Sequence, residues 1–304
     1  MTNLGKARRL QRLGRYQDHR YLFVPMDHSV SDGPPELVTR FGQVASAVAA
    51  AGADAVIAHK GRMELLVATP HVARSALIIH LSAGTSFGLD SESKVVVGTV
   101  QEAARLGADA VSVHINLGAR TEPEQLMALG DVATQCDSHG MPLLVMVYVR
   151  GPKIDHETDP RKLAHAVNVA VDLGADIVKT ALPEPVSEVK RIIDSCSRPV
   201  IFSGGSDRRT DDLLAVADLV ISCGGAGFAI GRRAWTQRNP EEVVTALSAI
   251  IHPRRDADLS AGKQSPVQQT AVLQSAVKQD AVKQGAVEQS AVKQMVSTSG
   301  GEYQ

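Results

Sequence analysis

The chain has 304 residues, 44% of them hydrophobic and 3% aromatic, with 32 basic and 33 acidic side chains and a net charge of -1. That length suits one large domain or two ordinary ones, and the balanced charge excludes a bulk electrostatic affinity for nucleic acid or membrane. No apolar run is long enough to span a bilayer, and Cys136, Cys196 and Cys223 are odd in number without metal-ligand spacing, which fits a reducing compartment.

Residues 1–20 carry Lys6, Arg8, Arg9, Arg12, Arg15 and Arg20 against the single acid Asp18. An Arg-rich, acid-poor start has the composition of a transit peptide. Here the first strand begins almost at once, at Tyr21. The segment therefore reads as a short amphipathic helix (Leu4, Leu10, Leu13) on the outside of the domain, and the protein as cytoplasmic.

From Tyr21 onward, short apolar runs alternate with alanine-rich stretches of helical periodicity. The strand candidates are Tyr21–Asp27, Ala55–His59, Ala76–Leu81, Ala110–Ile115, Leu143–Val149, Asp176–Lys179, Val200–Ser203 and Phe228–Ile230. The helical segments include Val38–Ala51, Glu92–Leu106, Glu122–Ser138, Pro160–Leu173, Val186–Ser195 and Pro240–Ile251. Three joints share one form: Gly52-Ala53-Asp54, Gly107-Ala108-Asp109 and Gly174-Ala175-Asp176. In each, the glycine takes the left-handed position that ends a helix and a strand follows directly. Such alternation predicts a parallel sheet with right-handed crossovers, and its length predicts a closed (β/α)8 TIM barrel over 21–252. A doubly wound open sheet is the alternative, but the Gly-x-Gly-x-x-Gly turn of dinucleotide-binding folds is missing after the first strand.

In such a barrel, chemistry collects where strands end. The ends here are Asp27-His28, His59-Lys60, His80, His114, Tyr148-Val149-Arg150, Lys179, Ser203-Gly204-Gly205-Ser206 and Gly231-Arg232-Arg233. Lys179 follows the buried run Ala175–Val178, where the charged ammonium is disfavoured and a neutral, nucleophilic amine becomes available. Taken singly, a strand-end lysine more often snorkels to the surface or pairs with a carboxylate. Ser203-Gly204-Gly205-Ser206 offers successive backbone N–H groups as an anion nest, and Gly231-Arg232 adds close approach and a guanidinium. Loops after the last two strands are the usual phosphate site of these barrels.

Past His252 the composition changes. Residues 265–294 repeat every five, as in Ser-Ala-Val-Lys-Gln. A valine every fifth residue advances roughly 140° around a helix, so no apolar stripe forms. The segment 253–304 reads as a low-complexity, mostly disordered tail, with recruitment of a partner as the functional alternative.

Together Val24-Pro25-Met26-Asp27-His28-Ser29-Val30-Ser31-Asp32-Gly33-Pro34, His59-Lys60-Gly61, Tyr148-Val149-Arg150-Gly151-Pro152, Asp176-Ile177-Val178-Lys179-Thr180 and Gly231-Arg232 resemble the archaeal-type class I aldolases. Within that family they resemble the branch containing 2-amino-3,7-dideoxy-D-threo-hept-6-ulosonate synthase and the bacterial enzymes that join aspartate semialdehyde to dihydroxyacetone phosphate. The resemblance covers about Gly5 to His252 and leaves the tail out. It implies that Lys179 is a Schiff-base lysine, with Tyr148 and Asp27 as acid/base partners. Ser203, Gly204, Gly205, Gly231 and Arg232, with His28, Lys60 and Arg150, would hold a phosphorylated substrate. It further implies small phosphorylated ketose and aldehyde substrates, no cofactor, no metal and a homo-oligomer. The implied activity is aldol condensation of dihydroxyacetone phosphate with aspartate 4-semialdehyde to a seven-carbon amino-keto product. The alternatives are the transaldol reaction of the named synthase and fructose-bisphosphate cleavage. Fructose-bisphosphate aldolases of this family usually read Asp-His-Gly-x-Glu-His-Gly-Pro in the first loop. This chain lacks the Glu-His pair and has Ser29 where a glycine is common.

Two readings from other classes stay open at this point. His28, His59, His80 and His114 are strand-end imidazoles of the kind that bind zinc. A barrel scaffold with a recruiting tail would need none of Lys179, Tyr148 or Asp27.

Overall fold

A computed structural model describes residues 3–33, 40–205, 210–235 and 239–253. In chain order the strands are β1 (Tyr21–Pro25), β2 (Ala55–Ala58), β3 (Ala76–His80), β4 (Ser82–Ala83), β5 (Val95–Val96), β6 (Ala110–Leu117), β7 (Leu143–Val149), β8 (Ile177–Thr180), β9 (Val200–Ser203) and β10 (Gly227–Ala229). The helices are α1 (Leu4–Leu13), α2 (Phe41–Ala50), α3 (Met63–Val67), α4 (Val100–Arg105), α5 (Glu122–His139), α6 (Pro160–Asp172), α7 (Val189–Asp194), α8 (Thr210–Ser222), α9 (Arg232–Trp235) and α10 (Pro240–Ile251). Strands β1-β10-β9-β8-β7-β6-β3-β2 close into a barrel in that order, every pair parallel. Each expected strand is present, its ends shifted by at most two residues.

The period-2 alternation of the strands splits the apolar side chains into two layers. Phe23, Ile57, Ile78, Leu144, Met146, Ile177 and Ile201 point into the barrel. Leu22, Val24, Val56, Ile79, Val111, Val145, Val178, Phe202 and Phe228 point outward under the helices. Both faces are covered, which is why the strands read as continuous Val/Ile/Leu runs. Helix α6 shows how the covering elements are specified. Asp159 caps it by accepting from the N–H groups of Arg161 and Lys162, Pro160 fits its first turn, and Leu163, Ala166, Val167 and Ala170 make its buried stripe.

The aspartates of the three Gly-Ala-Asp joints do work that helix-ending logic does not predict. Each carboxylate accepts the backbone N–H that begins a neighbouring segment: Asp54 from Leu22 at 2.7 Å, Asp109 from Leu77 at 3.0 Å and Asp176 from Leu143 at 2.9 Å. The same carboxylates also meet the N-terminal segment, Asp54 and Asp109 through their second oxygen and Asp176 through the oxygen that already accepts the Leu143 N–H. Lys6 pairs with Asp176 at 3.1 Å, Arg12 with Asp109 at 3.0 Å, and the Arg15 N–H donates to Asp54 at 2.8 Å. Leu13 is fully buried with Tyr21 and Phe23, and Leu10 packs against them. Helix α1 therefore lies across the N-terminal mouth of the barrel, where the expectation placed it on the outside. Two of its basic residues, Lys6 and Arg12, are held by these carboxylates, and Arg9 donates to the Gly140 carbonyl at 2.9 Å.

A second correction concerns Glu92–Leu106. The helix begins only at Val100, capped by the Thr99 hydroxyl, which accepts from the Glu102 N–H. Residues before it form β5, which pairs antiparallel with β4. The apolar run Val95–Val97 follows the strand period there, so helical periodicity misreads it. Helix α8 adds to the expected set, and α4 is shorter than expected. Among the described residues no helix is long and apolar enough to cross a membrane. The repeats at 265–294, Pro34 and Ser206 lie outside the described residues.

Candidate active site

Strand β8 is buried at every position, and alternation sends Ile177 and Lys179 inward while Val178 packs under the helices. Lys179 is 8% exposed. Its register partner across the β7–β8 pair is Met146, and the Lys179 Nζ lies 3.7 Å from the Met146 Sδ. A thioether is a weak acceptor, so the amine is held in an apolar wall without being consumed by a carboxylate.

A cavity of about 310 Å³ opens in front of this amine at the C-terminal end of the barrel. Its two sides differ in charge. On the β9 and β10 side it is lined by Ser203, Gly204, Gly205, Gly231, Arg232 and Arg233. On the β7 side it is lined by Tyr148, Arg150, Glu157 and Thr158. Strand β8 with Lys179 stands between, as the barrel order requires.

On the first side, Gly205 has φ +66, a conformation that favours glycine. A Cβ on Gly231 would collide with the His28 ring and crowd the Pro25 carbonyl, so close backbone approach requires glycine there. Arg233 is 9% exposed, and its Nε donates to the Gly205 carbonyl at 2.9 Å, which holds the loop in shape. Arg232 is more exposed and lies 3.8 Å from the Asp32 carboxylate. In the sequence Arg233 is named only as part of a strand end and carries no expected role in the site. Its signal was its place one residue past Arg232, where the helical turn of α9 aims the two guanidiniums differently.

On the β7 side, the Arg150 guanidinium stacks 4.6 Å over the Tyr148 ring, and the His114 ring centroid lies 5.0 Å from it. Tyr148 is thereby held between a cation and an imidazole. His114 Nε2 donates to Asn116 Oδ1 at 2.9 Å, since the Asn116 amide nitrogen already donates to the Glu92 carbonyl. Burial pushes His114 well below the ordinary imidazole range. Arg150 Nε also donates to Glu157 at 3.2 Å.

Asp27 follows β1 and is set among imidazoles. Its oxygens lie 3.6 Å from His28 Nδ1 and 3.7 Å from His80 Nε2. Burial pushes its carboxyl up, but His80, His28, Lys179 and His59 together outweigh that and hold it below the usual carboxylate value. His80 is buried and depressed to about 4 chiefly by desolvation, and its Nδ1 lies 2.8 Å from the Ser112 hydroxyl. His59 donates through Nδ1 to the His80 carbonyl at 3.1 Å. Burial also lowers His28. An ionised carboxylate thus sits beside neutral imidazoles, a set suited to moving protons.

Of the residues expected at the site, Lys179, Tyr148, Arg150, His28, Ser203, Gly204, Gly205, Gly231 and Arg232 line the one cavity. Asp27 does not line it but lies within electrostatic reach of Lys179. Lys60 is not brought there. The chain turns away after Ala58 into a 3-10 turn, and the Lys60 Nζ donates to both Glu102 oxygens, at 3.0 and 3.1 Å. Among the described residues no group of three or more His, Cys, Asp or Glu side chains is gathered as a metal site.

Comparison with known proteins gives one direction. The family model of the DeoC/LacD family aldolases matches residues 21–237. A 2-amino-4,5-dihydroxy-6-oxo-7-(phosphonooxy)heptanoate synthase of Streptomyces griseus is 41% identical over 248 residues, covering 81% of this chain and 90% of that protein. A 2-amino-3,7-dideoxy-D-threo-hept-6-ulosonate synthase of Halobacterium salinarum is 38% identical over 266 residues, covering 86% and 97%. Among solved structures, a Schiff-base-forming fructose-1,6-bisphosphate aldolase superposes with a TM-score of 0.71 at 25% identity, covering 81% of this chain and 100% of that one.

Proposed function

The chain belongs to the DeoC/LacD family and is a class I aldolase, and we propose that Lys179 is its Schiff-base lysine, joining dihydroxyacetone phosphate to aspartate 4-semialdehyde. The observation that carries this is a buried amine facing a cavity whose β9–β10 side presents backbone N–H groups and arginines.

The substrates follow from the chemistry written in the Streptomyces relative's name. In a 4,5-dihydroxy-6-oxo chain the aldol bond is C4–C5, because the 4-hydroxyl is β to the ketone. Breaking it leaves C5–C7 as dihydroxyacetone phosphate and C1–C4 as aspartate 4-semialdehyde. The Halobacterium relative's 3,7-dideoxy product has the same acceptor half but no oxygen at C7. The phosphate-suited end of the cavity favours the first donor for this chain. Fructose-bisphosphate cleavage is less favoured, because the first loop lacks the Glu-His pair and the 38–41% relatives are heptanoate and heptulosonate synthases.

The Lys179 amine attacks the donor ketone, and loss of water gives an iminium. A proton leaves the hydroxymethyl carbon, and the pair it leaves behind is delocalised onto nitrogen as an enamine. Asp27, held ionised, and Tyr148, fixed between Arg150 and His114, move the protons at nitrogen, carbon and the new carbinol oxygen. The enamine carbon attacks the aldehyde, whose oxygen takes up a proton. Water then releases the product and returns the amine, so the water lost at the start is restored. Mass and stereochemistry of the product from purified protein, aspartate semialdehyde and dihydroxyacetone phosphate test the reading. No seven-carbon acid from that mixture, with cleavage of fructose bisphosphate when it is supplied instead, would overturn it.

A further inference from the structure

The cavity has to bind two substrates of different charge. A phosphate ester is an anion, whereas aspartate 4-semialdehyde ends in a zwitterion, an ammonium and a carboxylate on one carbon. Among the described residues that line the cavity, Glu157 is the sole carboxylate, and it lies on the side away from Arg232 and Arg233. It is paired with Arg150, whose Nε donates to its Oε2 at 3.2 Å. A second carboxylate, Glu92, lies 4.0 Å from the Arg150 NH1.

We propose that Arg150 and Glu157 form the subsite for the amino-acid end of the acceptor aldehyde, Arg150 taking its carboxylate and Glu157 its ammonium; this rests on the aldol reading above. An exposed Arg–Glu pair contributes little to stability, so its place on the cavity wall is not accounted for by folding. A preformed cation–anion pair is complementary to an α-amino acid and mismatched to a phosphate. Stacking on Tyr148 fixes the plane of the guanidinium, so the fork is aimed without loss of freedom on binding. The barrel order then sets the line of reaction. Donor phosphate lies at β9 and β10, the iminium at β8, and the acceptor reaches the enamine carbon from β7.

The test compares kcat/KM for three aldehydes with dihydroxyacetone phosphate as donor: aspartate 4-semialdehyde, succinate semialdehyde, which lacks the amine, and propanal, which lacks both charges. In Glu157→Gln the preference for aspartate semialdehyde over succinate semialdehyde falls about tenfold or more. In Arg150→Met the preference for succinate semialdehyde over propanal falls by a similar factor, and Arg150→Lys restores part of it. Because Arg150 also supports Tyr148, the ratios and not the absolute rates are read. Ratios equal to wild type in both variants overturn the subsite. Wild-type protein is separately treated with dihydroxyacetone phosphate and borohydride. A lysine adduct with unchanged ratios overturns the subsite alone, whereas no adduct overturns the aldol reading and the subsite with it.

Discussion

Lys179 and Met146 are register partners across β7 and β8, and the amine meets the thioether sulfur at 3.7 Å. The contact gives the buried amine a neutral neighbour in the barrel wall, while the Asp27 carboxylate lies within electrostatic reach of it. It also makes the amine sensitive to what stands at position 146.

Lys179→Ala should abolish the borohydride-trapped donor adduct, measured by intact-protein mass. Met146→Glu should keep the lysine and lower the yield of the same adduct, because a carboxylate at that distance pairs with the side-chain nitrogen and competes with the donor ketone for it. An unchanged adduct yield in Met146→Glu would show that the sulfur's position is incidental.

Asp27→Asn should lower kcat by about 10²–10⁴, the range for a positioned acid/base group. His80 beside it makes acid stability a readout of the same cluster. Burial depresses His80 to about 4 in the folded protein against 6.5 for the free side chain. Between those values the unfolded chain binds the extra proton, so stability is full above pH 6.5 and falls as the pH drops toward 4. The loss is on the order of 3 kcal/mol. Urea midpoints across that window should fall less steeply in His80→Asn.

Arg233→Met should raise KM for dihydroxyacetone phosphate about 10- to 100-fold, the effect of losing a charge-assisted hydrogen bond. Unphosphorylated dihydroxyacetone should be affected less. Arg232→Met should do less to the same KM, because Arg232 is the more exposed of the two. Equal effects on both donors would mean that Arg233 acts through the fold of the Gly205 loop rather than on the phosphate.

Asp54→Ala should cost about 3–5 kcal/mol, since it strips partners from buried donors. The carboxylate receives the Leu22 N–H at 2.7 Å, and His252 Nε2 lies 2.9 Å from it, with Asp18 on the other ring nitrogen at 2.8 Å. Burial alone lowers His252, but Asp54 and Asp18 outweigh it and raise it above 6.5. That stabilisation is full below pH 6.5 and is lost as the pH rises through the folded value. The wild-type urea midpoint should therefore decline on the alkaline side, and His252→Gln should flatten that decline.

Much of the barrel was legible because its signals are local. Val200–Ser203 and Leu143–Val149 were bounded correctly from their apolar runs, and Pro240–Ile251 from its proline and spacing. The stretch Glu92–Leu106 was misread because a short Val run carries no information on whether β4 will be there to pair with it. For helix α1, the spacing of Leu4, Leu10 and Leu13 marks an apolar face but not the surface it covers. Nothing local says that Asp54, Asp109 and Asp176 lie together at the mouth it covers.

The sequence by itself determined the alternation of strands and helices, the glycine joints, and the delivery of a lysine, a tyrosine and an aspartate to strand ends. Those follow from side-chain period and backbone conformation, which act over a few residues. Only the tertiary structure decided that Lys60 faces Glu102 and not the cavity, that Arg233 is the buried guanidinium, and that Glu157 shares a wall with Lys179. Closing the barrel pairs Tyr21 with Gly227, and relations across such a closure depend on stagger and loop path, which no short stretch of chain encodes.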